Sequence, residues 1–506
     1  MLKSESLIQL VNSLAKQEKK EFSKYISNKQ DKDYIFLFKL IDEKKVTDPE
    51  ELKWCFLKER PVSSFNTVVV YLFNLLIEIL TKLRVEQDSY YILFNELLHA
   101  RVLYEKSMYP ECLHILKKVK EKAIYYENHF ALLMAQRLEL NYLLTLDFGE
   151  LDEKKLLNKQ YKMKNTLKSI SQLNEQSSLH ELLKYRMINR GVSRSLVETQ
   201  MLDDLVTSEI SIVASAGVEN FEIKKNHQLF QANYFIVVGD YKAAFNSFVE
   251  LNKLFEENSH LWHNPPVYYL MTVEGMLESL RIVNNYEGMN YFIEKLEKLS
   301  STSSSFQLNV AYVIFIYRLF SFIDQGEFEK ADEWVVGNQT SLIDKTDLLK
   351  DQQQAVMLLY IALTHLCNGE FRKAKKKLAL TVGRGNLYSL SLFRTIRLVN
   401  MMIHYELGDI DYIQSETRSI KREMAKNKEL SLEVELFLLK FLNYSFVAND
   451  KKSRSDAWKQ MEGEVNTLYQ NKYQNQILHK FDFVAWVESK ILNVPLSEIF
   501  KRKQLS

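Results

Sequence analysis

Apolar residues recur three and four positions apart along most of the chain, and short polar breaks separate the runs. Leu7, Leu10, Val11 and Leu14 form one such stripe, and that spacing predicts helix, not strand. The stripe continues through Phe22, Tyr25 and Ile26 after a charged run. Asp31 and Asp33 are candidate caps for a second helix, Tyr34 to Ile41. Thr47-Asp48-Pro49 opens a third, with proline in the first turn, where its missing N–H costs nothing. Pro61 breaks it, and Ser63 or Ser64 starts a fourth that reaches about Arg84. Phe65 to Leu80 is the most apolar run, interrupted by Asn66, Asn74 and Glu78. It is too short and too polar for a membrane span and reads as a buried helix.

From about Asp88 onward one phrase recurs. In the stretch Gln231 to Leu254 an apolar helix runs into Gly239-Asp240-Tyr241, and a second helix follows at once. Gly239 ends the first helix cheaply in the left-handed region. Asp240 caps the second, and Ala244 is small enough to let the two helices approach. Later copies read Gly326-Glu327-Phe328 with Ala331, Gly369-Glu370-Phe371 with Ala374, and Gly408-Asp409-Ile410 with Ile413. Asn285-Tyr286 and Tyr109-Pro110 stand at equivalent places. From Gly326 to Gly369 is 43 residues, and from Gly369 to Gly408 is 39. A turn that returns at near-constant spacing predicts stacked helical pairs.

The phrase resembles the turn and second helix of a tetratricopeptide repeat, with Ala232 and Ala362 as the small residues of the first helix. The spacing is longer than that family's, and its tryptophan and late proline are missing. The resemblance implies an all-α fold: a right-handed α-solenoid of antiparallel helix pairs, a tetratricopeptide-like superhelix. A small N-terminal helical module, 1–86, precedes divergent repeats and a joint over 87–218. Tetratricopeptide-like repeats fill 219–472, and 473–506 forms C-terminal capping helices. The N-terminal phrases EKKEF and DKDYIFLF are also similar to the N-termini of bacterial helical-repeat proteins of unknown activity.

Composition agrees with long helices: 506 residues hold 13 Gly and 6 Pro. The net charge of +2 gives no global pull toward nucleic acid or anionic membrane. Three distant cysteines, Cys55, Cys112 and Cys367, suit reduced thiols and a cytoplasmic setting. The first twenty residues lack the apolar core and cleavage site of a signal peptide.

Catalytic chemistry is scarce. The Gly383 to Gly385 stretch lacks the spacing of a phosphate loop. His260 and His263 sit beside Asn264-Pro265-Pro266 with no convincing further ligand, so no metal or other cofactor is expected. His365 and His404 fall at the same place in adjacent copies and read as packing positions, as does the Cys367 thiol. Arg372 to Lys377 form a basic face, and Glu327 to Glu333 an acidic one in the copy before. Without interleaved aromatics they read as solvated walls, not as a nucleic-acid surface.

The leading expectation is a non-enzymatic cytoplasmic scaffold that binds a protein or peptide partner. The alternative is a transcriptional or signalling regulator whose N-terminal module contacts DNA while the repeats sense a signal. Against it, the helix from Phe65 carries no Lys or Arg before Lys82, and a recognition helix needs basic residues. In tetratricopeptide arrays the partner lies along the inner wall of first helices. By the register of the turns, that wall is represented here by Asn226, Asn233, Ile236, Glu278, Arg281, Phe320, Leu363 and Tyr405. So long an apolar strip needs a cover. It is either an open groove for an amphipathic helix or extended segment, or a groove that the chain fills itself. The exposure of Phe320, Leu363 and Tyr405 distinguishes the two.

Overall fold

The helical periodicity is realised throughout. The computed structural model describes residues 3–26, 32–85, 88–149, 151–190, 200, 202–215, 220–262, 266–299, 301, 303–382, 392–426, 433–443, 451–471 and 477–505. Among the described residues the fold is all-α, with no strand.

Five helices make the N-terminal module: α1 (Lys3–Ser13), α2 (Lys16–Ile26), α3 (Asp33–Asp42), α4 (Pro49–Glu59) and α5 (Phe65–Val85). The sequence pattern joins the first two, but the chain breaks between them. There the Glu18 carboxylate accepts the Ala15 N–H at 2.8 Å and starts a new helix. Asp48 caps α4 as its position predicts, accepting from Glu51 N–H at 2.7 Å. Asp33 does not cap α3; it takes the Ser63 hydroxyl at 2.5 Å and so ties α3 to the start of α5. The expected cap Asp31 lies outside the described residues. Helix α5 is not buried all round. Phe65, Val69, Leu72 and Leu76 enter the module's own core, while Tyr71 and Ile77 face solvent.

Next come α6 (Ser89–Glu105), α7 (Tyr109–Tyr125), α8 (His129–Thr145) and the 38-residue α9 (Glu153–Arg190), followed by α10 (Asp203–Ser215). Helix α9 runs unbroken through 171, where the sequence loses its recurring phrase. Gly191 and Gly217, the expected punctuation, fall outside the described residues.

The clearest pairs follow: α11 (Phe221–Val238) with α12 (Tyr241–Glu257), and α13 (Val267–Ile282) with α14 (Tyr286–Glu297). Then come α15 (Ser304–Asp324) with α16 (Phe328–Gly337), α17 (Asp351–Cys367) with α18 (Phe371–Val382), and α19 (Phe393–Glu406) with α20 (Ile410–Lys426). Each expected turn falls between helices. Gly239, Gly326, Gly369 and Gly408 have φ between 69° and 78°, the left-handed region that glycine enters without strain. Asn284 and Ser107 adopt positive φ before the Tyr286 and Tyr109 helices. Asp240 caps α12 through the Ala243 N–H at 3.0 Å, and Ser303 caps α15 through the Phe306 N–H at 3.2 Å. Besides its own partner, each first helix from α13 to α17 touches the first helix of the next pair. One core therefore runs from Phe221 to Phe500.

The chain finishes with α21 (Glu433–Leu442), α22 (Lys451–Gln470), α23 (Phe483–Leu492) and α24 (Leu496–Leu505). Helix α23 packs on α21 and α22, and its Phe483, Val484, Trp486 and Val487 are all buried. This terminal segment also reaches back across the first helices. The Tyr360 hydroxyl donates to the Lys480 carbonyl at 2.5 Å, and Gln504 donates to the Asp324 carbonyl at 2.9 Å. Among the described residues only α15 is long and apolar enough to cross a membrane, and 61% of that window is buried inside the protein.

Two kinds of substitution test this packing. Ala244, Ala331 and Ala374 are wholly buried at the helix junctions. Each changed singly to Leu is expected to destabilise by about 1–3 kcal/mol in chemical unfolding, by overpacking. A Cβ added at Gly275 would come within 2.2 Å of the Phe248 ring, whose Cζ end abuts α13 there. Gly275→Ala should therefore lower the midpoint of thermal unfolding, although alanine favours helix elsewhere.

Candidate functional site

A cavity of about 490 Å³ lies where α9 and the first helices α11, α13, α15, α17 and α19 face residues Ile477 to Lys480. Its walls mix apolar side chains such as Ile236, Phe248 and Met271 with charged ones such as Lys184, Glu274 and Glu278. A volume of this size is in the range of small-ligand sites.

The floor is a charged and aromatic cluster around Arg281. That side chain is 3% exposed. It chelates Asp324, donating from Nε at 2.6 Å and from Nη2 at 3.0 Å. Its guanidinium lies 3.9 Å from the Phe320 ring centre and 5.5 Å from that of Tyr360, the face-on placement that attracts a cation. Burial opposes the charge, but the Asp324 carboxylate outweighs it and holds the guanidinium protonated. One turn earlier, Glu278 accepts from Lys480 Nζ and from the Tyr317 hydroxyl, both at 3.3 Å. Burial disfavours this carboxylate too, yet Lys480 and Arg281 hold it down to about 2. Glu274 lies a further turn away and has the opposite environment. Burial, then the Glu278 charge, pushes its carboxyl up to about 7. Two carboxylates four residues apart on one helix thus differ because only one reaches a cation. Burial also drives His479 down to about 4, so the imidazole beside Tyr241 is neutral.

The residues expected from the turn register divide. Asn233, Ile236, Glu278 and Phe320 line the cavity. Arg281 lines a neighbouring cavity of about 500 Å³, shared with Asp324, Tyr469, Asp482 and Lys503. Asn226 is buried and donates to Ser177 at 3.1 Å. Leu363 has no exposed surface, and Phe320 is 5% exposed. Tyr405 is half-buried, its ring 5.4 Å from Trp486 and 5.6 Å from Phe441. The apolar strip is thus filled from within at Leu363 and at Tyr405, where Trp486 of α23 covers it. Among the described residues, openings persist nearer Glu274 and beside Arg281. Sequence reasoning missed Lys184, Lys480 and His479. Lys184 belongs to a stretch with no recurring phrase, and the other two come from a segment read as an end cap.

The remaining candidates have structural explanations. His365 Nδ1 is 2.9 Å from the Glu370 carboxylate, and His404 Nδ1 is 2.8 Å from that of Asp409. Each clasps the turn glycine between its own helix and the next, so the copies share a packing device. Asp332 brings a third donor, and Asp332, His365 and Glu370 lie within 4.8 Å of one another. Glu370 is also held by Lys373 at 2.6 Å, and the equivalent His404 clasp gains no third acid among the described residues. We therefore read this trio as a turn clasp. His260 stacks on Tyr125 at 4.8 Å, while His263 and the Gly383 to Gly385 stretch lie outside the described residues. Burial pushes the Cys367 thiol up, away from thiolate chemistry. No protein-family model, curated protein or solved structure matched the chain.

The charge cluster makes two predictions. Arg281→Ala leaves Asp324 uncompensated in the interior and should cost about 3–5 kcal/mol in chemical unfolding. For Glu274, a carboxyl raised from 4.5 to about 7 favours the folded state below 4.5 and loses that contribution as pH rises through 7. The charged and titratable groups around it are Glu278 on its own helix, Lys184 on α9, Lys350 before α17, and Tyr312 and Tyr317 on α15. Glu274→Gln should therefore gain thermal stability over the native chain as pH goes from about 5 to about 8. Parallel profiles would mean that Glu274 titrates as an ordinary carboxylate.

Proposed function

We propose that this chain is a non-enzymatic tetratricopeptide-like scaffold, a right-handed superhelix of antiparallel helix pairs, which holds a segment of a protein or peptide partner on its inner wall. The observation that carries the reading is the cavity at Glu274, bounded by the first helices of successive pairs. Its lining combines apolar side chains with a few convergent polar ones, the usual make-up of a recognition site. Carboxylates are present, but Glu278 is neutralised by Lys480 and Arg281. Among the described lining residues no nucleophile is hydrogen-bonded to a base, and binding accounts for the arrangement better than catalysis.

A cavity of this size is in the small-ligand range, which suits a short stretch of a partner, a few residues long. Photo-crosslinking tests this. With benzoylphenylalanine at Met271 or Val356, both in the cavity wall, irradiation in cell extract should yield adducts carrying peptide mass. The same label at Val336, on the outside of α16 and 66% exposed, should not. Adducts confined to Val336, or none at any position, would sink the reading.

A further inference from the structure

We propose that the cavity takes a short peptide with both ends free, its ammonium group against Glu274 and its carboxylate against Lys184. This deepens the scaffold reading and rests on it. The argument starts from the charges in the wall. Three cations line the cavity, Lys184, Arg394 and Lys480, and three anions, Glu274, Glu278 and Glu435. Lys480 is paired with Glu278 at 3.3 Å, and Arg394 with Glu435 at 3.2 Å. Glu274 and Lys184 remain: among the described residues neither makes a contact ion pair or a side-chain hydrogen bond, although each feels the other's charge and Glu274 also that of Lys350.

A carboxylate and an ammonium that make no contact pair, at the edge of one water-accessible cavity, gain from a ligand that pairs with both. Among the described residues the lining holds three charges of each sign, so a ligand of net charge alone would unbalance it. A ligand with one charge of each sign satisfies both groups and leaves the sum unchanged. Free peptide ends meet this requirement, and their separation grows by about 3.3–3.6 Å per extended residue to match the gap. The wall also carries apolar residues: Met187, Leu229, Ile236, Phe248 and Met271 offer surface to uncharged side chains. The raised carboxyl of Glu274 fits an acid that awaits a cation.

The test uses the full chain and libraries of synthetic tri- and tetrapeptides. One library has free ends, one is N-acetylated and one is C-amidated. Equilibrium dialysis with mass spectrometry identifies retained peptides, and calorimetry measures the best of them. Free-ended peptides should bind, and either cap should weaken binding about tenfold or more, the worth of a charge-assisted hydrogen bond. In E274Q the acetyl cap should cost less than roughly twofold, and in K184Q the amide cap likewise, because each variant has already lost the partner. Both replacements are isosteric or smaller and break no contact seen in the fold, so folding, checked by circular dichroism, should survive. Capped peptides that bind as tightly as free ones overturn the charge assignment and leave the scaffold reading standing. If no library is retained while Met271 crosslinks a partner, the free-peptide proposal fails alone. If neither binds, both fail.

Discussion

The Arg281 guanidinium is the point on which the centre of the molecule depends. A fixed positive charge with 3% exposure can be kept in a helical core only if every face of it is occupied. Asp324 supplies two acceptor oxygens, Phe320 and Tyr360 supply ring faces, and Tyr360 in turn donates to the backbone of Lys480. These partners come from α13, α15, α17 and the segment before α23. The cluster therefore fixes three successive first helices relative to one another and anchors the C-terminal segment on them. A stack of helix pairs joined only by neighbour contacts has no such cross-brace.

The brace shapes the cavity as well. Because Lys480 is held by Tyr360 and Glu278, the Ile477 to Lys480 segment stands as a wall and divides the space between the first helices into two chambers. Farther along, Trp486 closes over Tyr405 and donates to Glu406 at 3.0 Å. The same device that stabilises the later pairs thus covers Tyr405 of their first helices. The chamber at Glu274 mixes polar and apolar walls. Neighbouring carboxylates on α13 take opposite protonation tendencies because Glu278 lies within reach of this wall and Glu274 does not.

The divergent half of the chain shows how the fold tolerates lost regularity. Helix α9 runs for 38 residues where a turn would keep the pattern. It contributes Lys184 to the chamber, and its Leu183 shares a core with Phe230 and Val237 of α11. Lys159 of α9 and Lys120 of α7 both pair with Glu139 of α8, at 3.0 and 2.7 Å. A long helix of this kind can join two stacks because it presents partners at both ends.

The sequence by itself determined the helices and their turns. Gly239, Gly326, Gly369 and Gly408 are read directly, because a left-handed backbone is a local demand that glycine meets without strain. Ala244, Ala331 and Ala374 follow from the same register, since a small side chain at fixed distance from the turn marks the close approach. Local signals also identified Asp48 and Asp240 as caps. Asn233, Ile236, Glu278 and Phe320, four of the positions picked out by the register of the turns, share one cavity. Only the tertiary structure decided which of those positions stay open. Leu363 and Phe320 look alike in the register, yet one is sealed and the other reaches the chamber. The chamber that Phe320 reaches takes its other walls from Ile477 to Lys480, more than a hundred residues away, and from Lys184 on a helix without the repeat's phrase. Pairings across such separations leave no periodic trace in a single sequence, because they depend on where whole helices dock and not on any local spacing.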